Sequence, residues 1–314
     1  MAPTAGATPR PLLTGGLDGD DHLAGKKSCV LDAGWSAVLI YASVILFPIL
    51  FSFSAGFVEW SGLDTPQFVG LQNYSRMFSD PVFLLGLRNN LLIVAVSVFG
   101  QIPLGFVLAY VIYRKMTRGG SFFETMIFLP ITISAIVVAK LWNQIFSPAG
   151  VYTQLLRIIR DDPRFVLEIF QSRTFAILPI LFVILWYYTG IYMVIFLANL
   201  QRIDPSVIEA AVIDGATERQ ILFRVVLPQM TNIVFTTAVF AIAGSLKSFD
   251  LIFAMTGGGP AHYTEVIAIY MYLNTFKYYN YGFGSAVSMV IVFLSLGLIT
   301  GIRVVFRRLE ARYA

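Results

Sequence analysis

The chain has 314 residues, 57% of them hydrophobic and 13% charged, with a net charge of +4 at neutral pH. Soluble domains carry roughly 25% charge, so a soluble globular protein is excluded and the lipid bilayer is the fitting solvent. Scattered basic residues speak against nucleic acid as a partner, and one cysteine with two distant histidines excludes a disulfide and a His/Cys metal set.

Residues 1–33 are polar, Gly-rich and charged, without an apolar run of signal-peptide type, and read as a disordered cytoplasmic tail. Gly25-Lys26-Lys27-Ser28 falls short of a phosphate loop. Asp20 stands where the first glycine is needed, and Lys27 where Ser or Thr must follow the lysine. The chain is therefore expected to hold neither ATP nor any other cofactor itself. Six apolar runs follow, at Trp35–Phe57, Leu91–Tyr113, Phe122–Phe146, Ile177–Leu200, Ile233–Phe253 and Phe283–Val305. Each is long enough to cross a hydrocarbon core as helix. The expected fold is an all-α, multi-pass membrane protein, with residues 34–310 as the membrane domain. Pro48, Pro103, Pro130 and Pro179 sit within four of the runs and read as tolerated kinks. Lys and Arg in the alternate segments that begin with the N-terminal tail outnumber those in the others, thirteen to seven. The positive-inside rule then puts both termini in the cytoplasm of a cell-membrane protein. Asn73-Tyr74-Ser75 matches a glycosylation sequon, a match short enough to arise by chance.

The segment between the fourth and fifth runs, 201–230, holds more structure than a connector needs. Asp204-Pro205 offers a cap and a first-turn proline, while Ser206 with Glu209 offers a capping box; either starts a short helix. Gly215, after Asp214, suits the left-handed residue that ends it. Thr217 with Gln220 opens a second helix, which Pro228, after Leu227, ends or kinks. Glu209-Ala210-Ala211 lies in the first helix, where two alanines leave a low surface for a partner. An amphipathic pair resting on the membrane interface fits equally well.

Glu209-Ala210-Ala211, Asp214-Gly215-Ala216 and Leu227-Pro228 at this spacing resemble the EAA motif of ABC importer permeases. The resemblance implies the six-helix type I importer fold, and it implies that Glu209, Ala210, Ala211, Asp214, Gly215, Leu227 and Pro228 form a coupling loop against a separate ATPase. Three further stretches resemble carbohydrate importers of the maltose and glycerol-3-phosphate type, in the first of their two permease subunits. These are Phe68–Tyr74, Thr256–Pro260 after Phe249-Asp250, and Tyr281–Ala286. Partners implied are a second permease, an ATPase dimer carrying ATP and Mg, an extracellular solute-binding protein and a sugar.

Polar residues inside the runs are costly and mark paths or pairs. Lys140 can snorkel to the interface. Lys247 and Asp250, three apart, can share a helix face as an ion pair. Tyr188 and Tyr192 in the fourth run, with Gly244, Ser245 and Ser248 in the fifth, supply the aromatic faces and hydroxyls that a sugar path needs. Tyr187 and Tyr188 also fit an interfacial aromatic belt. Resemblance to the maltose-type permeases sets Tyr188, Ser245 and Ser248 level with sugar-contacting positions. An intramembrane enzyme would need a nucleophile or metal constellation, and the chain has no GxSxG, HExxH or His pair. The remaining alternative is an ion-driven secondary transporter, which needs buried acids and repeats. Asp250 and Glu124 are the only acids within the runs.

Overall fold

The computed structural model describes Trp35 and residues 38–116 and 119–313, with side chains through Arg308. The tail at 1–33 lies outside the described residues. The chain divides into a short unit, 1–51, and a larger one, 52–314. Trp35 and helix α1 (Val38–Ala55) as far as Phe51 supply the described residues of the first, and no side chain from Val38 to Leu50 is buried. So much exposed apolar surface suits lipid rather than water.

In the larger unit, β1 (Val58–Glu59) and β2 (Gln67–Phe68) pair antiparallel. Helix α2 (Gln72–Ser79) follows. Asn73 is buried, and its amide donates to the carbonyls of Gly56 (3.0 Å) and Val58 (2.9 Å). The sequon asparagine is thus a structural clamp.

Helix α3 (Pro81–Tyr113) starts ten residues before the expected Leu91. Asp80 caps it, accepting from Val82 N at 2.8 Å, and Pro81 fills the first turn, where a missing N–H costs nothing. Its 33 residues span about 50 Å, well beyond a hydrocarbon core of about 30 Å. A single helix therefore reaches from one side of the membrane to the other with length to spare.

Three prolines share one local solution. The helix widens to π geometry at Ala42–Leu46, Ser97–Gln101 and Ile221–Val226, just before Pro48, Pro103 and Pro228. A proline ring clashes with the carbonyl four residues earlier. In each case that residue (Val44, Phe99, Arg224) lies inside the widened turn.

The third apolar run does not form one straight helix. It breaks into α4 (Gly120–Thr132) and α5 (Ala135–Phe146), the latter continuing as α6 (Val151–Arg160), with a 95° bend. Pro130 sits three residues before extended Ile133, and Ser134 is likewise extended in backbone. The tolerated kink expected here is a true break. Tyr187 Oη donates to the exposed carbonyl of Ile133 at 2.7 Å, and Tyr187 is buried. That bond overturns the belt reading for Tyr187. Five helices are long and apolar enough to cross a membrane, six if the bent pair counts as one.

Helix α7 (Ile177–Leu200) is the central post. It packs on α3 at Gly105, where a Cβ would come within 2.9 Å of Tyr192 Cβ, and on α4 at Gly190, where a Cβ would meet Ile127 O at 2.4 Å. Small residues let helices approach main chain to main chain. Then come α8 (Pro205–Ile213), α9 (218–229), α10 (Thr231–Leu246), α11 (Asp250–Thr256), α12 (267–277) and α13 (Tyr281–Tyr313).

The expected Lys247–Asp250 pair is not formed. Helix α10 ends at Leu246 and α11 restarts at Asp250, so the three-residue spacing no longer puts the two on one face. Among the described residues the ion pairs are Arg114–Glu218 and His262–Glu265. Both Lys247 and Asp250 are exposed, and Asp250 instead begins a helix, where a carboxylate suits the dipole.

Candidate functional site

Two sites emerge, a surface loop and an internal cavity. In the loop, Asp204 is the cap that the chain uses: its carboxylate accepts from Ser206 N at 2.9 Å, with Pro205 in the first turn. The alternative Ser206–Glu209 box is not used. Ending α8, Ala216 N donates to Ala211 O and Gly215 N to Val212 O, both at 3.0 Å, with Gly215 at φ +78°. This is a Schellman closure around a left-handed glycine. A Cβ on Gly215 would meet nothing within 4 Å, so the requirement there is conformational and not steric. Thr217 and Gln220 form the reciprocal capping box. Ile208, Ile221 and Val226 bury into a core with Phe106, Tyr110 and Phe196, which seats both loop helices. Glu209 and Ala210 are exposed, Ala211 is half-buried, and Val212 and Ile213 add exposed apolar surface. Leu227 and Pro228 are half-buried where α9 turns into α10.

Sequence reading missed a further loop residue. Glu218 takes a fork from Arg114, the C-cap of α3, with Nε to Oε2 at 3.2 Å and Nη2 on Oε1, and accepts from Tyr110 Oη at 2.9 Å. The Arg114 hydrogen bond holds the Glu218 carboxyl below the usual glutamate range.

The cavity, about 110 Å³, gathers all five residues proposed from sequence: Tyr188, Tyr192, Gly244, Ser245 and Ser248. It exceeds several times the roughly 10–15 Å³ that one water needs. Its other walls come from α3 (Ile93, Ser97, Gln101), with Ile184 and Ala241. Ser245 Oγ donates to Ser97 Oγ at 2.9 Å, and Gln101 Nε2 to Ile184 O at 2.7 Å. Asn90 is fully buried and fixes this region. Its Nδ2 donates to Ser245 O at 2.9 Å, and its Oδ1 accepts from Ile267 N at 2.8 Å. Next to it, Asn89 donates to Tyr263 O and Glu265 O. The α3 residues lay in plain sight as Asn, Ser and Gln inside an apolar helix. Such residues face the bundle interior or a water-filled path.

Toward the N-terminal end of α3 this scaffold meets the loop before α12. Glu265 is 1% exposed. His262 Nδ1 lies 2.8 Å from its Oε2, and its Oε1 has no hydrogen-bond partner. Burial raises this carboxyl above the usual range, with the His262 contact acting in the opposite direction. Among the described residues no group of three or more His, Cys, Asp or Glu could hold a metal.

Known proteins resemble this chain in sequence and in fold. A permease of Bacillus subtilis, "Probable ABC transporter permease protein YurN", is 32% identical over 83% of this chain and 90% of its own. The "Lactose transport system permease protein LacF" of Rhizobium radiobacter is 30% identical over 83% and 89%. For the "Multiple sugar-binding transport system permease protein MsmF" of Streptococcus mutans the figures are 27%, 88% and 96%. A crystal structure of a bacterial ABC transporter involved in import of the acidic polysaccharide alginate contains a chain with the same fold. Its TM-score is 0.77 at 21% identity, covering 90% of this chain and 96% of that one. Residues 101–314 match the family described as "Binding-protein-dependent transport system inner membrane component". With the membrane helices and these relatives, that match settles the class: the chain belongs to the binding-protein-dependent transport family, as a membrane-spanning permease subunit of an ABC importer and not an enzyme.

Proposed function

We propose that this permease forms half of the translocation path for a sugar or oligosaccharide, in an importer driven by a separate ATPase. The observation that carries the reading is the gathering of Tyr188, Tyr192, Ser245 and Ser248 around one cavity between α3, α7 and α10. Hydroxyls exchange hydrogen bonds with a sugar, and tyrosine rings cover its C–H faces. The names of the lactose and multiple-sugar relatives support the same substrate class. Residues 34–310 act as the permease domain and 201–230 as its coupling segment. Glu209, Ala210, Ala211, Asp214 and Gly215 present the docking helix, with Leu227 and Pro228 anchoring its return to the membrane. The partners are a second permease, an ATPase dimer that holds ATP and Mg, and an extracellular solute-binding protein. Both termini lie in the cytoplasm, which a reporter fused after Ala314 tests. Family membership leaves the ion-driven alternative without support.

The deciding experiment replaces Ser245 or Ser248 with Leu in the assembled complex. Sugar uptake should fall while the complex still assembles. Normal uptake by both variants would remove the cavity from the path.

A further inference from the structure

Among the described residues, the loop is held to the helix bundle by apolar contacts and by one directional polar attachment, the bonds from Tyr110 and Arg114 to Glu218. It is the only carboxylate–guanidinium pair among the described residues. Apolar faces slide over one another at small cost, as in shear motions. A two-pronged guanidinium fork fixes both distance and orientation. The fork sits at the C-terminal end of α3, and the same helix, continuous through its π turn at Ser97–Gln101, carries Gln101 and Ser97 into the cavity wall and Asn90 onto Ser245.

We propose that the Tyr110–Arg114–Glu218 junction is the joint through which displacement of the 201–230 loop is imposed on α3 and hence on the cavity wall. Glu218 and Arg114 are then positioning residues. They touch neither substrate nor, by this reading, the ATPase; they fix how far α3 follows the loop. The inference rests on the coupling role given above to 201–230.

The test uses the whole importer, reconstituted with its partner permease, ATPase and binding protein. Glu218→Gln, Glu218→Arg and Arg114→Glu are compared with the exchange Arg114→Glu/Glu218→Arg. Two quantities are read: ATPase retained on purification, and ATP hydrolysed per sugar transported. All variants should retain the ATPase, because Glu209 and Ala210 are untouched. The single variants should raise ATP consumed per sugar by about fivefold or more, the lower range of measured coupling between sites. The exchange should recover most of that loss. A structural role alone would lower both activities together and leave their ratio unchanged. A normal ratio in the single variants, no recovery in the exchange, or loss of the ATPase from the single variants would each overturn the joint. An unmodified permease that retains no ATPase would overturn the coupling role itself, and the joint with it.

Discussion

The loop at 204–229 and the cavity beside Ser245 are built on opposite principles. The loop is specified by its ends: an Asp-Pro start, a left-handed glycine and a Thr–Gln box act within a few residues of one another. The cavity is specified across the fold, since Asn90 binds Ser245 155 positions away and Ile267 177 positions away. Local devices tolerate repacking elsewhere, whereas a buried long-range clamp fails with either partner. The two regions should therefore respond to mutation with different sizes and kinds of effect.

The largest effect is expected where main chains touch. Gly190→Val places branched carbons against Ile127 O, which already lies 2.4 Å from the position of a Cβ. Overpacking costs about 1–3 kcal/mol or more, and α4 and α7 must part. Detergent-solubilised protein should lose its monodisperse peak. A stable, well-folded variant would show that the α4–α7 contact can relax. Next comes Asn90→Leu, which orphans the buried Ile267 N–H at about 1–3 kcal/mol and leaves Ser245 O only its backbone donors, Ser248 N among them at 3.3 Å. Melting of the purified complex should drop by several degrees, and an unchanged transition would make the clamp dispensable.

Gly215→Val should be milder for stability and severe for coupling. The left-handed backbone costs a β-branched residue about 1–2 kcal/mol, with open space around the side chain. The protein should insert and fold, yet retain ATPase or transport poorly. Glu209→Lys should match that phenotype by charge reversal, without any effect on helix ends. If both variants bind ATPase and transport normally, the loop is only an interfacial helix pair.

The smallest effects are on pH dependence. Glu265 is buried beside His262, with the Asp80 carboxylate also acting on it, and its folded pKa is raised. The neutral form is favoured, so its contribution is complete below the unfolded glutamate value and is lost as pH rises through the raised one. Hydrogen exchange in 257–266, corrected for intrinsic rate, should speed up over that interval, and Glu265→Gln should abolish the change. Glu218 has the opposite sign. Its folded pKa is lowered by Arg114, so its contribution is complete above the ordinary glutamate range and is lost only as pH falls through the lowered value. Exchange in 216–220 should be flat at neutral pH in both the unmodified chain and Glu218→Gln.

This contrast also explains what the sequence made legible. Caps and a left-handed glycine are nearest-neighbour events, so the loop's helix ends are legible residue by residue, while the choice between Asp204 and Ser206 and the attachment of Glu218 to Arg114 needed the fold. The same Asp-Pro signal at Asp80-Pro81 is masked by Arg88-Asn89-Asn90, where hydropathy falls, so the apolar run begins ten residues after the helix does. Tyr188, Tyr192, Ser245 and Ser248 were found from their chemistry. Ser97 and Gln101, from the α3 wall, and Asn90, which binds Ser245 O, were not, although they are the same kind of residue in the same kind of helix. Lys247 and Asp250 failed as a pair because spacing carries meaning only while the helix continues, and residues 247–249 interrupt it.

The break at Ile133–Ser134 lets the two halves of the third apolar run take different sets of neighbours. Through Gly190, α4 lies main chain to main chain on α7, while α5 is tied to α11 by the amide of Asn143 on Met255 O. Both halves touch α7, α5 through Trp142 on Phe182 and Trp186, and α5 adds α11 as a further neighbour; two residues, Ile133 and Ser134, lie between the halves. No helix has to curve there for the two halves to differ in direction: the cut is already made, and the Tyr187 hydroxyl donates to the Ile133 carbonyl beside it.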